Sequence, residues 1–266
     1  MDCAVTAAAS LNRALAALRP GDTFPLPDGD IIGNIVLPRS LSGAQGRPII
    51  IRGGLATRII ATDSGKAAIG GGGCQWLRVM DFATIGGRNG VHIGQNGDDY
   101  DPAKMIAHVY VVRVTAMDPV EDGIKLNGGT EAHVHSCSVT GGRDQAIDLL
   151  GIKRGSVRKS SFTRSPCAIV AKGGCIDIDI IGNEIRDCVD GVHIGERTAP
   201  RWQAPWTDRN TVGVKLRANS IEVSGNPVSV AQSDDWVVDA SNKLWTSKRA
   251  KGQMAPLIET FGQRSG

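Results

Sequence analysis

Four short stretches in the middle of the chain share one pattern and one spacing: DGIKL at 122–126, AIDLL at 146–150, AIVAK at 168–172 and GVHIG at 191–195. Their central apolar residues follow one another by 23, 22 and 23 positions, at Ile124, Ile147, Ile169 and Val192. A single short strand cannot bury its apolar face, whereas a stack of such strands can. The repeat therefore predicts a solenoid with coils of about 23 residues.

Three further columns lie between these strands and keep the same period. Two are apolar, with members 23 residues apart: Val134, Val157 and Ile180 in one, and Val139, Phe162 and Ile185 in the other. The third is polar and contains Cys137, Ser160 and Asn183. We expect this column to point inward at a turn, where short polar side chains bond the backbone of a neighbouring coil.

The pattern extends in both directions from this central block. Upstream, Val109 and Val114 fit with a step of 25 residues, and downstream an insertion precedes Leu216, Asn219, Ile221 and Val228. A leucine-rich repeat would need an LxxLxL pattern, which the sequence lacks. The sequence therefore predicts an all-β fold, a single-stranded right-handed parallel β-helix with an N-terminal capping helix.

Both ends of the predicted solenoid carry segments that would cover it. Residues 11–18 form an amphipathic pattern after Ser10, a residue type that favours the N-cap position, so a cap helix is expected over residues 10–20. Such a helix covers the unpaired edge of the first coil. Beyond residue 234 the period is lost, and Trp236 and Trp245 are expected to close the other end within a C-terminal cap at 234–266. We expect residues 1–266 to form one β-helix domain.

Composition limits the classes of partner. The chain has 34 glycines, 4% aromatic residues and a net charge of +3, which suits many tight turns and permits an acidic partner. No apolar run is long enough to span a bilayer, and residues 4–18 lack the basic start of a signal peptide. We expect a secreted or periplasmic monomer whose leader is not visible in this chain, with no nucleic-acid or membrane partner.

The six cysteines show no CxxC spacing, which disfavours a zinc or redox site. We expect them to be buried as small apolar residues. The alternative, for an exported protein, is one disulfide, for example between Cys3 and Cys74.

Two insertions interrupt the period at the same place in the repeat. QNGDDYDPAKM at 95–105 follows HIG at 92–94, and ERTAPRWQAPWTDRN at 196–210 follows HIG at 193–195. Insertions at one position of a repeat emerge on one face, which is often the binding face. We therefore expect Arg197 and Trp202 to bind substrate, the tryptophan by stacking on a sugar ring, although packing of the loop on the solenoid is the alternative.

One outward column on this face is rich in charged residues. It contains His92, Lys125, Asp148, Val170 and His193, and the next outward column contains Gly94, Asn127, Leu150, Lys172 and Gly195. Asp122, Asp144 and Asp148 lie on adjacent coils, and three carboxylates are suitable ligands for Ca²⁺. The alternative for these residues is hydrogen bonding to the backbone of tight turns.

This set of residues suits β-elimination on a uronic acid. The metal would bind the sugar carboxylate and stabilise the charge that develops as the C5 proton leaves. Lys172 or Lys125 would act as the base, because burial and a nearby cation lower the pKa of lysine. Arg143 would neutralise charge near the leaving group. His92 and His193 are expected to bind substrate, with a simple surface role as the alternative.

Several segments also resemble a known family. The opening PGDTFPLPDGDI at 20–31, followed by GRPIIIRGG at 46–54, resembles the first coils of right-handed β-helix polysaccharide lyases, including the chondroitinase B and alginate lyase group and the family 9 pectate lyases. The pair DGIKL and RDQAIDLL resembles the family 9 Ca²⁺ motif, DGF followed by DDGWDL, with Gln145 in place of one Asp. The resemblance implies that Asp122, Asp144 and Asp148 bind the metal. It also implies that VAKGG, with Lys172, corresponds to the catalytic strand FKLGG, two residues out of step.

The sequence leaves three functions open. The first is a polysaccharide lyase, a carbon–oxygen lyase that takes an acidic polysaccharide and uses Ca²⁺. The second is a related β-helix enzyme, either a C5-epimerase or a glycoside hydrolase with a carboxylate pair. The third is a non-catalytic carbohydrate-binding or adhesive β-helix.

Overall fold

The computed structural model describes residues 5–39, 41–95, 102–195, 211–231, 233–246 and 258–261. Within these ranges the chain is a right-handed parallel β-helix, with one α-helix at its N-terminal end and strands that pair in parallel from coil to coil. The predicted fold class is therefore confirmed. None of the described helices has the length and apolar character needed to cross a membrane.

The first half of the chain contains α1 (Ala8–Leu15), one 3₁₀ turn (Pro102–Lys104) and these strands: β1 (Val5–Ala7), β2 (Thr23–Pro25), β3 (Gly29–Ile32), β4 (Ile35–Val36), β5 (Ile49–Arg52), β6 (Thr57–Ile60), β7 (Ile69–Gly72), β8 (Gln75–Ile85), β9 (Val91–Gly94), β10 (Ile106–Met117), β11 (Ile124–His135) and β12 (Ser138–Thr140). The second half contains β13 (Gln145–Arg158), β14 (Ser161–Thr163), β15 (Cys167–Lys172), β16 (Cys175–Ile181), β17 (Glu184–Cys188), β18 (Asp190–Ile194), β19 (Thr211–Arg217), β20 (Ser220–Val223), β21 (Val228–Ala231), β22 (Ser233–Asp234), β23 (Val237–Val238), β24 (Lys243–Thr246) and β25 (Ile258–Phe261).

The apolar columns form the interior of the solenoid. Ile124 pairs with Ile147, Ile147 with Ile169, and Ile169 with Val192 on successive coils. All four side chains are fully buried. The two other apolar columns are paired and buried in the same way, so the predicted coil register is confirmed. Equivalent apolar positions on stacked coils fill the core because each coil alone is too thin to enclose one.

The polar column is an inward ladder of side-chain-to-backbone hydrogen bonds. The backbone N–H of Cys137 donates to Ser160 Oγ, that of Ser160 to Asn183 Oδ1, and that of Asn183 to Asn219 Oδ1, each at 3.0 Å. Asn219 continues the ladder by donating to Asn242 Oδ1, also at 3.0 Å. Each coil thus satisfies a buried backbone donor of the coil before it, as the sequence predicted.

The period of 23 residues extends further upstream than the sequence indicated. Val134 pairs with Val111, and Val139 pairs with Ala116, rather than with Val109 and Val114. The step of 25 was therefore wrong by two residues. Side chains in a strand alternate with a period of two, so a shift by two positions keeps the same residues inside and the apolar pattern cannot detect it.

The two ends differ in detail from the expectation. Helix α1 begins at Ala8, with Ala7 as its N-cap, and Ser10 lies inside the helix with its hydroxyl donating to the carbonyl of Ala7. The N-cap assignment to Ser10 was wrong because β1, paired with β3, runs directly into the helix. The helix does cover the core, since Leu15 is fully buried.

At the other end, the coil continues past residue 234. Strands β23 and β24 pair in register with β19 and β20, and β25 pairs with β21. Trp236 packs against the core, but Trp245 is 46% exposed and does not close the end. The expectation for Trp245 was wrong because it alternates with the inward Leu244 and Thr246 on β24 and so faces outward.

Each coil turns one corner through a residue with positive φ. These residues align on successive coils and are mostly not glycine: Trp76, His108, Glu131, Arg154, Asp177 and Gly213, with φ between 50° and 72°. A non-glycine residue in this region costs about 1 kcal/mol. Contacts along the column oppose this cost, because Trp76 stacks on His108 at 3.7 Å and Arg154 forms an ion pair with Glu131.

The five described cysteines are buried, and no disulfide bond joins any two of them. Burial raises the pKa of the Cys74, Cys137 and Cys175 thiols to about 12. These cysteines therefore pack as small apolar residues, as expected. Cys3, the proposed disulfide partner of Cys74, lies outside the described residues.

Candidate functional site

The structure places the expected outward column on one wall of the solenoid. His92 on β9 pairs with Lys125 on β11, Lys125 with Asp148 on β13, Asp148 with Val170 on β15, and Val170 with His193 on β18. Neighbouring members lie on adjacent coils, about 4.8 Å apart. Both insertions follow strands of this wall, β9 and β18, although residues 96–101 and 196–210 lie outside the described ranges. We call this column and its neighbour the site wall.

Lys125 is held between two carboxylates on the site wall. Its Nζ atom lies 2.5 Å from Asp148 Oδ2 and 3.1 Å from Asp122 Oδ2. The Asp148 and Asp122 side chains are only 0% and 1% exposed, whereas the Lys125 side chain is 23% exposed. The ammonium group therefore lies between the buried carboxylates and the solvent.

Asp122 also belongs to a ladder of hydrogen bonds at the corner of the coil. Its Oδ1 accepts the backbone N–H of Gln145 at 3.2 Å, and its Oδ2 accepts the side-chain amide of Asn89 at 3.1 Å. Asp190 repeats the arrangement by accepting the backbone N–H of Asn226 at 2.7 Å. The turn-binding alternative for Asp122 is thus present in the structure, alongside its ion pair. Burial, and then the charge of Asp148, raise the pKa of Asp122.

Lys125 does not have the lowered pKa that a lysine base would need. Burial lowers the pKa of Lys125, but Asp148 and Asp122 together outweigh burial and raise it above its usual value. Lys125 therefore keeps its proton at neutral pH. The expectation that Lys125 acts as a base was wrong, because the buried carboxylates beside it favour the charged form.

Lys172 approaches the same carboxylate from the other side. Its Nζ atom lies 3.6 Å from Asp148 Oδ1, and its side chain is 17% exposed. Asp148 Oδ1 is buried and accepts no hydrogen bond from the described residues. The structure thus brings Lys125, Asp148 and Lys172 together on one wall, as the sequence arrangement indicated, although Lys172 belongs to the second outward column, beside Leu150.

Asp144 and Arg143 stand apart from this group. Both are exposed in the turn before β13, and Asp144 accepts a hydrogen bond from the side-chain amide of Gln145. Within the described ranges, no three His, Cys, Asp or Glu side chains are arranged to hold a metal ion. No hydrogen bond or ion pair of the described residues joins Arg143 to Lys125, Asp148 or Lys172.

The residues expected to bind Ca²⁺ therefore do not fit a calcium site. Asp144 does not converge with the other two carboxylates, and the ammonium group of Lys125 lies between Asp122 and Asp148. Calcium takes six to eight oxygen ligands. The three-carboxylate arrangement was wrong because Asp144 follows the turn outward while Asp122 and Asp148 point toward Lys125.

His92 lies in a groove beside Lys125. The groove has a volume of about 530 Å³, and its floor is formed by small residues: Gly70, Gly71, Gly72 and Gly94. His92 Nε2 lies 2.7 Å from Asn127 Oδ1. An amide oxygen can only accept, so Nε2 carries the proton and Nδ1 carries the lone pair. The groove thus contains a neutral imidazole with a nitrogen that can accept a proton.

The surroundings of His92 keep it uncharged. Burial is the main cause that lowers the pKa of His92, and the nearby charges of Lys125 and Arg88 lower it further. The hydrogen bond to Asn127 and the charge of Asp148 act in the opposite direction but are outweighed. A neutral histidine beside a fixed ammonium group is suited to accept a proton at neutral pH.

Asn127 holds His92 in place and depends on Gly94. A Cβ atom at position 94 would lie 2.1 Å from Asn127 Oδ1, so only glycine leaves room for the amide. The sequence analysis placed both residues in the second outward column but gave neither a role. The recurring patterns NGVHI at 89–93, DGIKL at 122–126 and DGVHI at 190–194 mark the corner ladder and could have indicated it.

The other predicted binding residues lie farther along the wall. His193 Nε2 lies 3.5 Å from Asp190 Oδ2, an arrangement that parallels Lys125 and Asp122, each pair being three residues apart. Val170 separates His193 from Asp148, so His193 lies two coils away from the lysine pair. Arg197 and Trp202 lie outside the described residues.

The fold and the register of its strands define a protein of the right-handed parallel β-helix class. The sequence matches no family model and no curated protein. In structure, the chain is similar to the GH136 lacto-N-biosidase of Eubacterium ramulus, with a TM-score of 0.57, 13% identity, and coverage of 86% of this chain but 51% of that one. It therefore spans about half the length of that enzyme. It is also similar to an alginate lyase from Paenibacillus sp. str. FPU-7, with a TM-score of 0.54, 13% identity, and coverage of 97% and 96%. At this identity the likeness concerns the fold.

Proposed function

We propose that this protein is a polysaccharide lyase that cleaves a uronate-containing polysaccharide by β-elimination. The observation that carries the proposal is the arrangement of Lys125 and Lys172 around the buried carboxylate of Asp148. Their ammonium groups lie where an extended acidic chain on the site wall would contact them. The alginate lyase of the same fold adds support, since its substrate is also a polysaccharide. The proposal includes export to a compartment where such polymers occur.

The chemistry of the elimination follows from the charges of the wall. Lys125 pairs with the uronate carboxylate and so neutralises the negative charge that develops in the transition state. The C5–H bond breaks and the proton moves to Nδ1 of His92, while its electron pair forms the C4–C5 double bond. The C4–O4 bond breaks, and O4 takes its electron pair and a proton from the Lys172 ammonium group. Solvent then restores both groups.

In this proposal Lys172 contributes as a cation and proton donor rather than as the base, and His92 is the base. Placing the base at His92 agrees with its lowered pKa. His193 and Arg197 remain candidates for contacts with the polymer beyond the reacting sugar. Arg143 and Trp202 remain predictions for contacts with the leaving chain.

The structure disfavours a hydrolase that uses Asp122 and Asp148. Hydrolysis of a glycoside needs two carboxyl groups that reach the scissile bond from opposite sides. Both carboxylates are buried, and both form ion pairs with the same lysine. Neither is therefore available to a sugar on the outer surface of the wall.

A screen of acidic polysaccharides tests the proposal. The full chain is incubated with pectate, alginate and glycosaminoglycans, and the absorbance of the unsaturated product is followed. We expect absorbance with at least one polymer, and its loss in Lys125→Met but not in Lys215→Met, a control on another wall where Lys215 is exposed. New reducing ends without absorbance, inversion at C5 without cleavage, or binding without turnover would each contradict a lyase.

A further inference from the structure

The position of Lys125 matches the role that the sequence assigned to a metal ion. A cation that bridges carboxylates on adjacent coils was expected, and the group that bridges Asp122 and Asp148 is the Lys125 ammonium. Its two N–O distances, 3.1 and 2.5 Å, are those of charge-assisted hydrogen bonds. We propose that the ammonium group of Lys125 takes the place of a divalent cation, so that the site wall works without a metal.

The oxygen atoms of the two carboxylates are already engaged. Asp122 Oδ1 accepts the backbone N–H of Gln145, and Asp122 Oδ2 accepts from Lys125 and from Asn89. Asp148 Oδ2 accepts from Lys125. Only Asp148 Oδ1 lacks a hydrogen bond, and Lys172 Nζ lies 3.6 Å from it. A metal ion would have to displace an ammonium group to gain two ligands from this pair.

The balance of charge points in the same direction. Two buried carboxylates face two lysine ammonium groups, so the group of four is neutral without any further ion. The negative charges are at most 1% exposed, and the positive ends are 23% and 17% exposed. From the solvent side the wall therefore presents cations, which attract the carboxylate of an acidic sugar and repel Ca²⁺.

This inference deepens the proposed function by removing Ca²⁺ from it, but its test does not depend on lyase activity. Calcium binding is measured by isothermal titration calorimetry on the chelator-treated full chain. We expect no calcium binding by the wild-type protein at this wall. In Lys125→Ala, which leaves two carboxylates without their cation, we expect Ca²⁺ to bind about tenfold more tightly or better than to wild type. Adding Asp148→Asn to that variant should abolish the gain.

The outcomes separate cleanly. Calcium binding by the wild-type protein that is lost in Asp148→Asn would overturn the inference, and so would a folded Lys125→Ala variant that gains no calcium binding. If the alanine variant does not fold, Lys125→Gln keeps a hydrogen-bonding side chain of similar length and takes its place. Should a polymer be cleaved, activity that persists in excess chelator supports the inference, and activity that requires Ca²⁺ overturns it. Failure of the lyase screen alone leaves the calorimetric result decisive.

Discussion

Lys125 and Asp148, 23 residues apart in the sequence, lie side by side on adjacent coils, with Nζ and Oδ2 2.5 Å apart. The pair forms because one full coil separates the two residues, so that each outward position meets its equivalent one coil later. Burial of the carboxylate and partial exposure of the ammonium group make the pair directional, with its positive end toward the solvent. This direction sets both the stability and the ligand preference of the wall.

Removal of the Lys125 charge should weaken the fold as well as the activity. Lys125→Met leaves two buried carboxylates without their cation, and breaking a buried ion pair from one side costs about 3–5 kcal/mol. Urea unfolding should show this loss in Lys125→Met and almost none in the exposed control Lys215→Met. A double variant, Lys125→Met with Asp148→Asn, should recover part of it. Equal stability of wild type and Lys125→Met would show that the pair contributes nothing.

The imidazole of His92 should control turnover through its partner. His92→Gln should reduce kcat about 10²–10⁴-fold, the range typical of losing a general base. Asn127→Ala should lower kcat less, because the ring remains but loses its orientation. Gly94→Ala should resemble Asn127→Ala, since the new Cβ displaces the amide. The comparison is made with steady-state kinetics on the cleaved polymer, and unchanged kcat in His92→Gln would assign the base elsewhere.

Stability should fall as the solution is acidified through the histidine range. Burial is the main cause that lowers the pKa of both His92 and His133 below the usual 6.5. The unfolded chain therefore binds more protons than the folded one in that window, so stability rises with pH there and is lost as pH falls through the folded-state pKa values. Urea midpoints between about pH 7 and about pH 5 should show the decline. The double variant His92→Gln with His133→Gln should flatten it, and an unchanged slope would attribute the decline to other groups.

The inward polar ladder should be most sensitive at its centre. Asn183 is buried, accepts the backbone N–H of Ser160 and donates to the carbonyl of Val157. Asn183→Ala leaves both groups unpaired, which costs about 1–3 kcal/mol for each. Asn242→Ala, at the partly exposed end of the same ladder, should cost less because water can replace the amide. Chemical unfolding of the two variants checks this order, and equal losses would show that burial does not govern the ladder.

The fold could be predicted because its signal is repeated. Each coil supplies the same apolar positions, so the columns through Ile124 and Val134 were correct to the residue. The step upstream of Val134 was wrong by two positions, since apolar alternation cannot distinguish such a shift. The N-cap was wrong because the pairing of β1 with β3, a long-range contact, determines where α1 begins.

The sequence by itself determined the coil length, the direction in which each side chain points, and the neighbours His92, Lys125 and Asp148 on one wall, because a regular repeat converts sequence separation into spatial contact. Tertiary structure alone decided that Asp122 and Asp148 are buried beneath Lys125, that Asp144 turns away, and that Asn127 orients His92. Burial and charge balance depend on every group that surrounds a side chain, and those groups come from several coils at once. The chemistry of the wall therefore followed from packing, and its location from the period.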